Sequence, residues 1–482
     1  MVALTNNGLA KKVNILCLLA AVVIILVLPL KKEVWYDETV SILCSKGISH
    51  NSQNIFSATT VLSSSAIDSL NTSKDVFKAT LVDNGNSFLY NIGLHWFTQL
   101  LGNRITTYML FSKLCAIATL IAFYFLCNLF FKNNLFAALA IILLATDIGF
   151  IAMSHEIRAY SMGILFVTLA AIYCYKYLFV GEKPAWLFLT GLFSVAALLS
   201  HFLTVYIIIV FLVVLLFKKY ASLFSLKNIL AVLLPAGIFA VYFYFSYTGI
   251  STMNMQNHAI QEKFTNRSFD IGEVIFRSMK IMAINFKVAF PAFRDNRVLF
   301  SASFLFVLFL YVAGIKAALT APDKRNLHLL FILGVFSSVF LVLLSIKSQH
   351  YASLYFRYYS FGLPFSSLFV AYLLYVFYKN AKINTVVKAG LWIVILIPAC
   401  ALFVISLKND QPQLQYNHVA VADEIVKNKV VKIEVPSWRD ALLLQSVLPK
   451  GYKIDYFRNG SPDFTLYTAN DTEKIPVIRE DK

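Results

Sequence analysis

Long apolar runs, separated by short polar breaks, fill most of the chain. Each run is close to the roughly 20 residues that an α-helix needs to cross a bilayer. The run 185–217 is too long for one span, and we divide it at Ser200-His201. Breaks at charged residues and prolines then predict about eleven transmembrane helices, at residues 13–30, 106–131, 134–152, 158–180, 185–200, 202–217, 229–247, 299–318, 328–346, 359–378 and 389–407.

The composition agrees with this pattern. The chain of 482 residues is 59% hydrophobic and 14% charged, whereas a soluble domain is nearer half apolar and a quarter charged. Lys11-Lys12 ahead of an apolar run resembles a signal peptide, but no small-residue cleavage pattern follows it. We therefore expect an uncleaved first span and a polytopic α-helical membrane protein.

The net charge of +17 first suggests a nucleic-acid partner, but its placement favours membrane topology. With the N-terminus in the cytoplasm, only Glu182 and Asp323 oppose the basic residues of the cytoplasmic segments. Such an excess on cytoplasmic loops is expected of membrane proteins, so we predict no nucleic-acid partner. These basic residues are Lys11, Lys12, Lys132, Lys176, Lys183, Lys218, Lys219, Lys227, Lys316, Lys324, Arg325, Lys379, Lys382 and Lys388.

An odd number of spans places the C-terminus outside a plasma (inner) membrane, in the periplasm or extracellular space. We divide the chain into a transmembrane domain, 1–407, and a small α/β soluble domain, 408–482. Outer loops 31–105 and 248–298 would form the working face. Aromatic residues from Phe88 to Phe97 and the mixed stretch 271–290 each predict a helix lying in the interface.

Ionisable residues flanked by aromatics recur at the predicted outer ends of the spans. An acidic pair can act as a general base or bind a cation, and arginines hold phosphate through two parallel hydrogen bonds. Together they suggest a phosphate-bearing lipid and a hydroxyl to be deprotonated. These positions are Asp37-Glu38, Asp83-Asn84-Gly85-Asn86, Ser154-His155-Glu156-Ile157-Arg158-Ala159-Tyr160, His201 and Tyr355-Phe356-Arg357-Tyr358-Tyr359.

Each of these residues also has a structural explanation. The pair Asp37-Glu38 is equally compatible with a solvated loop, and Glu156 with Arg158 is compatible with a structural ion pair. Arg357 fits an interfacial arginine that extends towards water, and His201 fits a histidine at a loop end. The pattern alone leaves both explanations open.

Five motifs, in order over roughly residues 13–378, resemble the dolichyl-phosphate-mannose protein mannosyltransferase superfamily of GT-C fold membrane glycosyltransferases, whose bacterial members include lipid A aminoarabinose transferases. An Asp-Glu pair after an aromatic residue follows the first span. The Pro-Pro pair usual in the second motif is missing, and His155 replaces the usual Gln in the third. The motifs are Trp35-Tyr36-Asp37-Glu38, the stretch from Asp83 to Tyr90, Ser154 to Tyr160, His201, and Arg357-Tyr358 with Pro364.

The resemblance implies an enzyme that moves a sugar, with inversion, from a polyprenyl phosphate to a hydroxyl of a lipid, glycan or protein at the outer face. The transfer would be metal-independent or loosely assisted by a divalent metal, with no certain cofactor. Asp37 would be the general base, with Glu38 beside it. The remaining site residues fall into two groups: Arg158, Arg357, Tyr358, Glu156 and His201 for donor phosphate, and Asp83, Tyr90 and Tyr160 for positioning donor or acceptor.

The alternative from another class is a polytopic lipid or sugar transporter or flippase. Transporters keep ionisable and helix-breaking residues near the middle of the membrane, often in inverted repeats. Here the charges gather at one face, no repeat is evident, and Lys113 is the nearest approach to a buried charge. An enzyme is therefore favoured.

Overall fold

The computed structural model of the chain is largely helical, with one small sheet. Residue ranges described by the structure are 7–27, 36–48, 61–64, 72–82, 85–102, 104–131, 134–261, 270–285, 305, 312, 333, 337–348, 356–379, 418–435, 438–449, 452–457, 464–468 and 474–476. Its helices are α1 (Asn7–Val27), α2 (Tyr36–Ser45), α3 (Ser73–Val82), α4 (Phe88–Leu101), α5 (Ile105–Phe130), α6 (Asn134–Ala145), α7 (Ile148–His155), α8 (Tyr160–Tyr175), α9 (Pro184–Ser200), α10 (Val205–Leu223), α11 (Leu226–Gln261), α12 (Ile271–Asn285), α13 (Ser337–Ser348), α14 (Phe356–Tyr359), α15 (Leu363–Lys379), α16 (His418–Lys427) and α17 (Trp438–Val447).

Several helices are suited to a bilayer. Within the described ranges, four are long and apolar enough to cross one, and a bent pair adds a fifth. The predicted spans 299–318 and 389–407 and part of 328–346 lie outside the described residues, so the count of eleven stays a prediction. The four helices are Ile105–Phe130, Tyr160–Val180, Leu226–Ser246 and Arg357–Val376; shorter apolar helices are Lys12–Val27, Pro184–Ser200 and Phe202–Phe217.

The division of the run 185–217 is confirmed. Helix α9 ends at Ser200, and His201 has an extended backbone with φ −158° and ψ 120°. A short 3₁₀ turn, Phe202–Thr204, follows, and α10 begins at Val205. The helical run is therefore interrupted at His201.

The span predicted at 134–152 is broken by a bend. Helices α6 and α7 meet at a bend of 57°. Asp147 causes the break, because its Oδ1 accepts hydrogen bonds from the backbone N–H groups of Gly149 (2.7 Å) and Phe150 (3.0 Å) and so caps a new helix. The bend directs the C-terminal end of α7, and with it residues 156–158, towards α2.

A five-stranded sheet joins residues 61–63 to four strands between residues 432 and 476. Its order is β1-β3-β2-β4-β5, with β2 parallel to β3 and the other pairs antiparallel. Strand β1 lies within 31–105, the stretch predicted as an outer loop, whereas the sequence placed the α/β domain wholly within 408–482. The strands are β1 (Val61–Ser63), β2 (Lys432–Glu434), β3 (Asp455–Phe457), β4 (Thr465–Tyr467) and β5 (Lys474–Pro476).

Candidate active site

The carboxylates of Asp37 and Glu38 lie in the first turn of α2. This is a favourable place for negative charge, because unpaired backbone N–H groups and the helix dipole both face it. Glu38 has no exposed surface, and the Asp37 side chain is 25% exposed. The structure therefore excludes the alternative of a solvated loop.

Asp37 forms an ion pair with Arg357. The Nη1 of Arg357, on the one-turn helix α14, donates to Oδ2 of Asp37 at 2.7 Å. Both side chains are mostly covered, which strengthens their attraction relative to a surface pair. Arg357 thus has a carboxylate partner 320 residues away along the chain, rather than simply extending towards water.

Arg158 holds the other side of the same helical turn. Its Nη1 donates to the backbone carbonyl of Asp37 at 3.0 Å and to Oγ of Ser41 at 3.1 Å. Ser41 lies four residues after Asp37 and therefore on the same face of α2. Sequence reasoning missed Ser41, although this spacing was a usable signal.

Glu38 anchors the loop that carries Arg158. Its Oε1 accepts a hydrogen bond from the backbone N–H of Ile157 at 2.7 Å. Glu156, the residue before Ile157, is 9% exposed. The geometry therefore links Glu38 to the position of the 156–158 loop rather than to an open face of the site.

His201 is buried next to both arginines. Its Nδ1 accepts a hydrogen bond from the backbone N–H of Leu203 at 3.2 Å, so it does stabilise a loop end. Burial, followed by the positive charges of Arg158 and Arg357, lowers the pKa of His201 to about 3. The imidazole is therefore neutral at any physiological pH.

Aromatic rings surround His201. The centroids of Tyr160 and Phe361 each lie 5.2 Å from its ring, and that of Tyr358 lies at 6.0 Å. The guanidinium of Arg357 sits 5.3 Å from the Tyr358 ring centroid, a cation–π distance. The buried Oη of Tyr160 has no hydrogen-bond partner among the described residues. The cluster thus combines two cations, a neutral imidazole and an unsatisfied hydroxyl.

Two predicted positioning residues lie elsewhere or cannot be placed. Asp83 is outside the described residues. Tyr90 is fully buried, and its hydroxyl shares a 2.8 Å hydrogen bond with Ser112, so its effect on a substrate would be indirect. Asn86, from the same motif as Asp83, accepts at Oδ1 from the N–H of Phe202 (3.1 Å) and so supports the turn at His201.

Lys176 and Lys183 lie at the far end of the two helical segments that start at Tyr160 and end before His201. The helical run from Tyr160 to Val180 leads away from the site and contains Lys176 near its end, and α9 leads back from Lys183 to His201. Lys219 pairs there with Glu182. About 21 helical residues correspond to roughly 30 Å, so the basic end and the arginine cluster are separated by about a bilayer core.

Metal-ligating side chains do not gather within the described ranges, where no group of three or more His, Cys, Asp or Glu is placed to hold an ion. The acidic side chains near Arg158 and Arg357 instead accept hydrogen bonds from Arg357 and from the Ile157 N–H.

No protein-family model matches the chain, and no curated protein sequence does. Among solved structures, the chain is similar to apo ArnT from Cupriavidus metallidurans, with 12% identity, a TM-score of 0.48, and coverage of 92% of this chain and 86% of that one. It is also similar to the Archaeoglobus fulgidus oligosaccharyltransferase tethered with an acceptor peptide, with 10% identity, a TM-score of 0.41, and coverage of 99% and 61%.

A second structure of that archaeal enzyme, AglB in complex with an inhibitory peptide and a dolichol-phosphate, gives 11% identity, a TM-score of 0.40 and coverage of 100% and 62%. The chain spans just under two thirds of the length of these two oligosaccharyltransferase chains.

Proposed function

We propose that the chain is a membrane glycosyltransferase that moves a sugar from a polyprenyl phosphate to a hydroxyl acceptor at the outer face, with inversion. One observation carries this proposal: the Asp37 turn of α2 is held between two arginines that come from distant parts of the chain. Arg357 binds its carboxylate and Arg158 binds its backbone. The five motifs, which include these three residues, support the same proposal.

Asp37 serves as the general base. In the proposed reaction the acceptor hydroxyl attacks the anomeric carbon, its proton passes to the Asp37 carboxylate, and the bond from that carbon to the phosphate oxygen breaks. A base must be ionised before it accepts a proton. The ion pair with Arg357 holds the Asp37 carboxylate in a fixed position.

Arg357 and Arg158 stabilise the leaving group. The polyprenyl phosphate departs with a growing negative charge, and preorganised donors aimed at such a charge lower the barrier. A guanidinium has five N–H donors, so Arg357 can contact a phosphate oxygen while it keeps one N–H on Asp37. Neutral His201 adds no charge, and the Tyr160 hydroxyl can donate to a phosphate oxygen.

Glu38 and Glu156 act through position in this proposal. Glu38 is buried and bound to the N–H of Ile157, so it fixes the loop that carries Arg158. Glu156 lies in that same loop. Tyr358 supports the guanidinium of Arg357 through its ring.

The test is direct transfer. The purified full chain would be reconstituted in liposomes with polyprenyl-phosphate sugars and a mixture of lipid and glycan acceptors, and donor cleavage followed by release of polyprenyl phosphate. We expect Asp37→Asn and Arg357→Ala each to reduce cleavage by about 100-fold or more, since each removes a group acting in the transition state.

Controls separate chemistry from folding and from transport. Glu424→Gln, at an exposed surface position, should keep wild-type activity. Full cleavage by a folded Asp37→Asn or Arg357→Ala protein would contradict the site. Movement of donor between leaflets without any cleavage by the wild type would contradict the enzyme and favour the flippase.

A further inference from the structure

The C-terminal unit, defined as residues 418–476, is paired with the far end of the segment that carries Asp37. Strand β1 lies antiparallel to β3, with Leu62 opposite Tyr456. The backbone N–H of Ser64 donates to the carbonyl of Ile454 at 3.0 Å, and Ser64 Oγ accepts from the N–H of Ile454 at 3.3 Å. The outer segment that starts with α2 therefore ends as a strand of the C-terminal sheet.

The same unit also covers the C-terminal end of α2. Leu43 and Ile48 are each 1% exposed, and both belong to the apolar core of the C-terminal unit. The rest of that core comes from α16, α17 and the sheet, with Ile425, Leu444 and Ile433 all fully buried. Two of the side chains that fill this core are thus supplied by the segment of the proposed base.

Leu443, on α17, lies on the side of that helix that faces away from the core of the C-terminal unit. It is 1% exposed and packs in a separate apolar cluster with Ile42 of α2, Tyr90 of α4 and Ile157. Its neighbour Leu444 is buried in the unit's own core instead. Helix α17 therefore lies between the C-terminal core and the site, with one leucine on each side.

The cluster around Leu443 adjoins the groups that hold the site together. Ile42 follows Ser41, which accepts from Arg158, and Ile157 donates its N–H to Glu38. A shift of α2 by 1 Å would move Asp37 relative to Arg357, and displacements of this size are enough to reduce catalysis by about 100-fold.

We propose that the C-terminal unit positions the active site, with Leu443 as a positioning residue that sets α2 against the 156–158 loop. This inference rests on the proposed function. It gives the unit a catalytic purpose: it keeps Asp37 facing Arg357, a residue contributed by a different part of the chain.

Neighbouring leucines provide a matched test. Leu443→Ala and Leu444→Ala remove the same atoms from adjacent buried positions, in the full-length protein at a temperature where both stay folded. We expect Leu443→Ala to lower kcat for donor cleavage by about 10- to 100-fold, with a smaller change in the KM for the donor, because Arg357 and His201 lie outside both α2 and the 156–158 loop. Leu444→Ala should lower Tm with little loss of kcat, and Leu443→Met should restore most of the activity.

A second readout needs no substrate. Hydrogen exchange of the α2 backbone should be faster in Leu443→Ala than in the wild type, and less affected in Leu444→Ala. Equal loss of kcat in both alanine variants would overturn the positioning role. An unchanged rate of hydrogen exchange in α2 of Leu443→Ala would overturn it as well. Failure of the wild type to cleave any polyprenyl-phosphate sugar would instead overturn the proposed function, while the exchange comparison would still decide whether Leu443 holds α2.

Discussion

At the scale of single residues, the two adjacent carboxylates of α2 have different surroundings. Asp37 is partly exposed and faces a guanidinium, whereas Glu38 is buried and faces a backbone N–H. The sequence could pair neither residue, because their partners lie 320 and 119 residues away. The resemblance names Asp37 as the base and Glu38 as its neighbour, and the packing of α2 shows how differently the two carboxylates are surrounded.

Glu38 can be tested with two substitutions. Glu38→Ala leaves the buried N–H of Ile157 without this acceptor and should lower stability by about 1–3 kcal/mol, with loss of transfer through movement of Arg158. Glu38→Gln keeps an oxygen acceptor and should retain most of the stability and most of the transfer activity. Thermal unfolding and donor cleavage measure these effects, and equal inactivation by Gln and Ala would show that Glu38 acts as a charged catalytic group.

His201 makes stability depend on pH. Its folded-state pKa of about 3 lies below the value of about 6.5 in the unfolded chain, so only the unfolded chain binds the proton in between. The free energy of unfolding of the wild type should therefore fall as the pH drops below 6.5, and this one group should account for about 2 kcal/mol at pH 5. The His201→Gln variant lacks this group and should lose less stability over the same range. Unfolding of both proteins from pH 7 to 5 tests this, and parallel curves would show that His201 is not a buried neutral histidine.

At the scale of elements, the apolar runs predicted where helices lie. They did not predict where a run bends or which segments of the chain pair with each other. The ends at Ser200 and near Phe130 follow from local breaks in the sequence. The bend at Asp147 was missed because one capping carboxylate within an apolar run looks like an ordinary polar residue. Strand β1 was missed because three residues next to a Ser-rich stretch give no usable period.

The turn before α4 offers a test of how elements are joined. Gly85 has φ +67°, and a Cβ there would lie 2.9 Å from Oγ of Ser246 on α11. Gly102 also has a positive φ, +89°, but a Cβ there would meet nothing within 4 Å. Both alanine variants should lose about 1–2 kcal/mol from backbone strain, and Gly85→Ala should lose more because of the clash.

The same two glycine variants should also differ in transfer activity. Asn86, the residue after Gly85, supports the turn at His201, so Gly85→Ala should also reduce donor cleavage while Gly102→Ala should not. Thermal unfolding and transfer assays on both variants provide the measurement. Identical behaviour of the two would show that the turn tolerates a shift away from α11.

At the scale of the whole molecule, the helices separate two chemical environments. Arg158, His201 and Arg357 gather at one end of the helices, while Lys176, Lys183 and the Lys219–Glu182 pair lie at the other. The charge pattern in the sequence assigns the lysine end to the cytoplasm. The arginine cluster would then face outwards, where a lipid-linked donor would be presented.

Two exposed glutamates make this sidedness measurable. Glu182 lies at the lysine end and Glu424 lies on the C-terminal unit, and each pairs with a lysine. In a background without native cysteines, Glu424→Cys should react with a membrane-impermeant maleimide in intact cells, and Glu182→Cys only after permeabilisation. The reverse labelling would invert the proposed topology.

Strand β1 also imposes an order on biosynthesis. Its neighbour Ser64 must find Ile454, which is 390 residues further along the chain. At about 5–20 residues per second, the ribosome needs roughly 20–80 s to make the intervening chain. During that time the segment after α2 has left the ribosome without its strand partner, an unpaired edge of the kind that invites aggregation. Synthesis of residues 455–457 therefore completes the pairing of β1, and a chain released before them would keep its membrane helices but leave Val61–Ser63 without this strand partner.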